Sequence, residues 1–314
     1  MSANVAVATA AVVAARNSER GHRIRLMIGY AAAIGLVVYL SIYGFSYYTL
    51  SSADRPFSPK HVLLRPSGTI GLKLGFLGFA IFLGIFLYPL RRVWPWLGQQ
   101  GSARHWLDIH VLLGISAPFI IAFHSSFKFR GFAGIAFWIM VAVSLSGVIG
   151  RYLYAQIPRS LNAAELSMRE LQELQEKLAE QLSRQKLVPP TDLRTLLKLP
   201  GQEQVDRMFA PISLVYMMAL DAARAFRIAK LRRHALSVGG QLSTLGGFLK
   251  TGNRDLEKAI AMAREEAATA KRVLFLKRTQ QVFHLWHVVH KPFSYTFALL
   301  AIIHIAVVMM MGYF

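Results

Sequence analysis

Cysteine is absent from all 314 residues. That removes disulfides, iron–sulfur ligation, thioether attachment of a haem and thiol catalysis together. Acidic side chains are scarce too: sixteen Asp and Glu stand against thirty-six Lys and Arg, a net charge of +20. Thirteen of the sixteen fall between residues 155 and 280. No G-x-G-x-x-G after a strand, Walker sequence or flavin signature occurs, and strand-like alternation is rare, so no nucleotide site is legible. What the chain has in abundance is apolar surface. It is 54% hydrophobic with a mean hydropathy of +0.39, the composition of an integral membrane protein. In that setting the cationic excess reads as topology and lipid contact, with no nucleic-acid partner.

Five segments reach spanning length, approximately residues 25–49, 69–90, 105–127, 131–154 and 281–313. The expected fold is therefore all-α and integral to the membrane, with five transmembrane helices. Residues 1–24 read as a flexible N-terminal tail, 25–154 as four spans, 155–280 as a long helical loop and 281–314 as the fifth span. Tyr47, Tyr48, Trp94, Trp96, Trp106, Tyr152 and Tyr154 sit at span ends, as interfacial aromatics do. A cytoplasmic N-terminus puts Arg16, Arg20, Arg23, Arg25, Arg91, Arg92, Arg104, Arg151 and the long loop inside. Only Arg55, Lys60, Arg65, Lys73, Lys128 and Arg130 are then outside. The positive-inside rule favours this orientation, with the C-terminus outside.

Histidines carry the chemistry. His110 and His124 are fourteen residues apart on the third span, and His290 and His304 are fourteen apart on the fifth. Fourteen helical steps come to roughly 1400°, some 40° short of four turns, so each pair shares one face and is separated by about 21 Å. Both spans start on the inner side and run parallel, which sets His110 level with His290 and His124 level with His304. Two facing pairs, one near each surface, suit two non-covalent b haems, each iron held by two imidazoles. Because ionisable groups are costly inside a bilayer, four matched histidines point to function. His284, His287 and His290 form an H-x-x-H-x-x-H run. His287 to His304 is seventeen residues, about 100° off a common face, so His290 is the better ligand and His287 the fallback. His105 poses the same choice, and the spacing selects His110. A metal-ion site on the run lacks nearby carboxylates.

Haem propionates need cationic partners. By depth, Arg104, Arg151 and Lys291 lie near the inner haem, and Lys73, Lys128 and Arg130 near the outer, with interfacial snorkelling as the other use of each. Asp108 reads as a partner for Arg104. Gly71, Gly75 and Gly78, with Gly147 and Gly150, suit close helix packing. In the loop, Leu171, Leu174, Leu178 and Leu182 stripe an amphipathic helix broken at Pro189 and Pro190. A second helix, about 204–234, ends in the basic run Arg227, Lys230, Arg232 and Arg233, suited to lipid headgroups or an acidic partner. A charged helix, RDLEKAIAMAREEAATAKRVLFLKR, follows a glycine-rich turn.

The two His-x13-His helices, with the segment SLSGVIGRYLYAQIPR before the loop, resemble the haem-bearing membrane domain of the ferric reductase and NADPH oxidase superfamily, and more broadly bacterial dihaem b-type cytochromes. The resemblance covers residues 69–154 and 281–314. It implies haem ligation by His110 with His290 and by His124 with His304, in the bacterial inner (plasma) membrane. The flavin and nicotinamide domain of the reductases has no counterpart here. The expected function is therefore transmembrane electron transfer as a subunit of an oxidoreductase complex. Its partners would be a c-type cytochrome, an iron–sulfur protein or a reductase. A quinol- or quinone-reactive subunit, and a histidine-dependent metal or proton transporter, are the alternatives.

Overall fold

A computed structural model describes residues 2–157, 173, 180, 199–234 and 246–312, with side chains from residue 18 onward. The helices, in chain order, are α1 (Ser2–Tyr48), α2 (His61–Leu64), α3 (Thr69–Leu90), α4 (Pro95–Gln99), α5 (Ala103–His124), α6 (Gly131–Gln156), α7 (Gln202–Arg207), α8 (Ala210–His234) and α9 (Arg254–Met310). Among the described residues there is no strand. Among the described residues, five helical stretches are long and apolar enough to cross a membrane: Ser18–Tyr48, His61–Leu90, Ala103–His124, Gly131–Gln156 and Arg254–Met310. The chain divides into two compact units, residues 1–151 with 289–314, and residues 152–288. Leu171, Leu174, Leu178, Leu182, Pro189 and Pro190 lie outside the described residues.

Two boundaries differ from the sequence reading. Helical backbone reaches back to Ser2, through residues expected to form a tail. The stretch ANVAVATAAVVAA is alanine-rich, and neither Gly nor Pro interrupts it before Gly21. At the other end, the charged helix and the last apolar run are one helix from Arg254, instead of a fifth helix beginning near Gln281. Asn253 starts it, its Oδ1 accepting from the backbone N–H of Asp255 and Leu256 at 3.1 Å each. Asp255 and Glu257 sit in the first turn, where the helix dipole favours negative charge. No Gly or Pro occurs between residues 254 and 291, so nothing in the chain ends the helix.

In the first unit, α5 is the axis, with α3 and α1 packed along it. A Cβ on Gly78 would sit 2.3 Å from Ile121 Cδ1, so glycine is what lets α3 approach this closely. Leu74, Ile81, Ile120 and Phe123 fill the seam. Pro89, Pro118 and Pro292 interrupt the helical ladders of α3, α5 and α9, and proline offers no N–H to the carbonyl four residues before it. Pro118 thus leaves the Gly114 carbonyl unpaired, and Ser144 on α6 donates its hydroxyl to that oxygen at 2.9 Å.

Past the end of α5 the chain turns through Ser126 and Phe127, both left-handed at φ 51° and 59°. Non-glycine residues reach that region only under constraint. Arg55 supplies it: this buried guanidinium donates to the carbonyls of Ser126 at 2.6 Å, Tyr48 at 2.9 Å and Leu50 at 3.2 Å. Ser126 Oγ adds a bond to the Leu64 carbonyl at 2.6 Å. Arg55 is a structural cation, not merely an outside charge.

In the second unit, α8 packs on the charged half of α9 through Ile228, Leu231, Leu256, Ala259, Ile260 and Ala263. Phe275 sits against Val205 and Met217. Two of the unit's buried cations are paired internally, whereas buried Glu266 keeps one carboxylate oxygen without a hydrogen-bond partner among the described residues and burial pushes its pKa up. Asp221 accepts from Tyr152 Oη at 2.7 Å and from the deeply buried Lys271 Nζ at 2.5 Å. Arg232 pairs with Glu257 through Nε at 2.9 Å and Nη2 at 2.7 Å, and donates to the Gly247 and Phe248 carbonyls at 3.2 Å. This corrects the sequence reading of the basic run: Arg232 is an internal ion pair, while Lys230 and Arg233 are exposed. Arg232→Gln strands a largely buried carboxylate, and we expect it to destabilise the second unit by about 3 kcal/mol. Thermal denaturation followed by a fluorophore attached to that unit checks this; an unchanged transition would show Glu257 to be solvated.

Candidate functional site

An imidazole has one N–H to donate and one bare nitrogen to offer, and its partners decide which is which. His110 Nδ1 lies 2.9 Å from the Ile85 carbonyl, and His124 Nδ1 lies 2.8 Å from the Gly71 carbonyl. Carbonyls only accept, so in both rings Nδ1 carries the proton and Nε2 is bare. His290 Nδ1 lies 2.6 Å from Ser146 Oγ. Ser146 Oγ also lies 2.8 Å from the Val143 carbonyl; with its proton given there, it accepts from His290 Nδ1 and sets the same tautomer as at His110 and His124. His304 stands near enough to His124 for the two rings to interact electrostatically.

The acceptors on α3 repeat the spacing of their donors. Gly71 and Ile85 are fourteen residues apart, in the reverse order to His110 and His124. Each acceptor has a sequence reason four residues on. Pro89 supplies no N–H to Ile85 O, so that carbonyl is available to His110. Gly75 clears the approach of His124: a Cβ there would meet Cε1 at 2.8 Å and Nδ1 at 2.9 Å. Gly147, next to Ser146, would present a Cβ 3.9 Å from His290 Cε1.

The same contacts give the helix directions. Going from Ile85 to Gly71 along α3 corresponds to going from His110 to His124 along α5. Phe297 on α9 stacks edge-on to Phe82 at 5.8 Å, and His304, two turns further on, is near His124. The last part of α9 thus runs parallel to α5 and antiparallel to α3. Parity of the spans had required this.

His287 makes a tautomer-fixing bond of its own, Nδ1 to the Phe283 carbonyl at 3.1 Å. Its tautomer therefore does not separate it from His290; the fourteen-residue spacing does. Among the described residues no group of three or more His, Asp or Glu side chains is placed to hold a metal ion.

The six cations separate into two kinds. Arg151 is engaged, its Nη2 2.8 Å from Asp108 Oδ1. Arg104, Lys291, Lys73, Lys128 and Arg130 are exposed, with no ion pair among the described residues. Asp108 is thus the partner of Arg151, not of Arg104, and its other oxygen lies 3.2 Å from Nε2 of the buried His22. His22 stacks on His105 with ring centroids 3.8 Å apart, and His105 Nε2 reaches Glu19 at 3.3 Å. This polar cluster and the acceptor role of Ser146 escaped the sequence reading. Gly75 and Pro89, fourteen residues apart, were the legible signal for the α3 acceptors.

An open apolar hollow of about 480 Å³ lies between α6 and α9, lined by Phe129, Gly134, Ile135, Trp138, Ile139 and Phe293 among others. The indole N–H of Trp138 is the one polar side-chain atom there, a poor match for a quinone headgroup. No protein-family model, curated protein or solved structure matches this chain.

The tautomers are directly measurable. In 15N-histidine-labelled protein we expect His110, His124 and His290 to carry the proton on Nδ1. Ser146→Ala should erase that preference at His290 alone. Nδ1 bare in the unsubstituted protein would refute the assignment.

Proposed function

We propose that this protein is an integral-membrane b-type cytochrome that passes electrons across the bilayer through two non-covalent haems. His110 with His290 and His124 with His304 would be the axial ligands. One observation carries the reading: in an apolar bundle, three of the four imidazoles set Nδ1 against an oxygen on a neighbouring helix, and the carbonyl partners of His110 and His124 leave the lone pair on Nε2. That is how ligand histidines are oriented, and the partner bond raises the basicity of the metal-facing nitrogen. The proximity of His304 to His124, and the parallel run of the two helices, support the pairing. The residues present fit the group, since two facing imidazoles suffice and no third ligand is needed.

Held by these histidine pairs, each haem would supply a one-electron couple. The chain's own residues do the rest. Ile85 and Gly71 carbonyls and Ser146 Oγ orient the rings, and Gly75 leaves room beside His124. Exposed Lys73, Lys128 and Arg130 at one end, and Arg104 and Lys291 at the other, are the cations available to propionates. Arg151 would reach a propionate only by sharing Asp108. Filled axial positions favour electron transfer over chemistry at iron, with a c-type cytochrome, an iron–sulfur protein or a reductase as partner.

Pyridine haemochrome counting tests this. We expect two haems per chain, falling to one or fewer in His110→Ala, His290→Ala, His124→Ala and His304→Ala, and unchanged in His287→Ala. Absence of sharp reduced α and β bands from the intact protein would end the reading. Orientation is a separate test in this cysteine-free chain. Met311→Cys should react with an impermeant thiol reagent from outside intact cells, and Glu203→Cys and Lys258→Cys only after permeabilisation. The reverse pattern would place the loop outside.

A further inference from the structure

Among the described residues of the second unit, one helix face is left uncovered. Along α8, Ser213, Met217, Arg224, Ile228 and Leu231 recur at helical spacing and are buried, packed into the unit's own core. The opposite face carries Ile212, Val215 and Phe226, all exposed, Val215 by 67% and Phe226 by 63%. Lys230 continues the stripe one turn beyond Phe226. Folding normally hides such a row of aliphatic and aromatic side chains. When it stays outside as a contiguous patch, it marks a contact surface.

The patch extends beyond the helix. The ring of Phe248 meets that of Phe226 edge-on, with centroids 5.6 Å apart, and Leu249 beside it is half exposed. Lys250 follows, exposed. Arg232 holds this turn on α8 through the Gly247 and Phe248 carbonyls. Two separate stretches of chain therefore present apolar side chains together, each ending in a lysine.

Charge says what covers it. The one acidic residue of α8 is Asp221, and it is turned away, held by Lys271 and Tyr152. Residues 246–253 contain none. Lys230 and Lys250 make no ion pair among the described residues. An apolar row edged by cations and free of carboxylates matches the boundary between acyl chains and anionic headgroups. The second unit, moreover, is joined in sequence at both ends to helices long and apolar enough to span.

We propose that the exposed face of α8, with the turn Phe248–Lys250, is a membrane-surface anchor: Ile212, Val215, Phe226 and Phe248 enter the acyl boundary of an anionic leaflet, and Lys230 and Lys250 meet its phosphates. This rests on the membrane reading of the five apolar helices and is independent of haem. It holds the loop against the leaflet and leaves its opposite face for a redox partner.

The full-length chain in equimolar phosphatidylcholine–phosphatidylglycerol nanodiscs provides the test, with one spin label per molecule. Labels go at Val215→Cys and Phe226→Cys. Ile42→Cys, on an exposed face of a spanning helix, is the membrane control, and Glu203→Cys the aqueous one. At 215 and 226 we expect collision with oxygen to exceed collision with a water-soluble nickel chelate severalfold, as at 42 and opposite to 203. Lys230→Gln with Lys250→Gln should shift the labels toward the aqueous value. Aqueous accessibility at 215 and 226 alongside membrane accessibility at 42 would overturn the anchor. Shielding from both reagents would also overturn it, since a protein surface then covers the face. Aqueous accessibility at 42 would instead sink the membrane reading itself.

Discussion

Everything at the paired-histidine site depends on one requirement: a neutral imidazole partly buried among apolar helices must find an acceptor for its N–H, because an unpaired donor is costly wherever solvent is excluded. In this bundle the partners of Nδ1 are backbone carbonyls of α3 and a serine hydroxyl of α6. At His110 and His124 the carbonyl partner puts the proton on Nδ1 and the lone pair on Nε2. The same bonds orient three rings and tie α5 to α3 and the last part of α9 to α6.

Proline and glycine gain a specific meaning from that requirement. Within an apolar helix every carbonyl is normally consumed by the N–H four residues on, so a side-chain donor finds nothing to bond. Pro89 and Pro118 each release one carbonyl, and each is taken up by a side chain from a neighbouring helix, His110 and Ser144 respectively. At the other histidine of α5 the obstacle is steric, and Gly75 removes it. The defects of α3 and α5 are thereby turned into inter-helix bonds.

The two units treat charge differently. In residues 152–288 it is spent on cohesion: Lys271 on Asp221, and Arg232 on Glu257. Partners of that kind are expensive to remove, because the charge left behind stays buried. In the first unit the buried polar groups are few and gathered, His22, Asp108 and Arg151 in one cluster and Arg55 at the turn after α5. Buried Glu266 in the second unit is the exception, with one carboxylate oxygen left without a partner among the described residues.

The five apolar helices were legible in the chain because length and hydropathy are one-dimensional properties, and a run such as residues 26–52 carries no charge. The histidine pairs were legible for a similar reason, since helical periodicity maps spacing onto a face without any knowledge of neighbours. Beyond that the sequence was mute or misleading. It paired Asp108 with Arg104, four residues away, whereas the fold brings Arg151 from α6 and His22 from α1 to that carboxylate. It set Arg232 on the surface, whereas Glu257 buries it. It broke the last helix where charge gave way to apolar residues, but helix continuity depends on backbone hydrogen bonding, and nothing between residues 254 and 291 interrupts that. Spacing along one helix is written in the chain. Which donor meets which acceptor across helices is a matter of packing, decided only when side chains distant in sequence must satisfy one another in the same small volume.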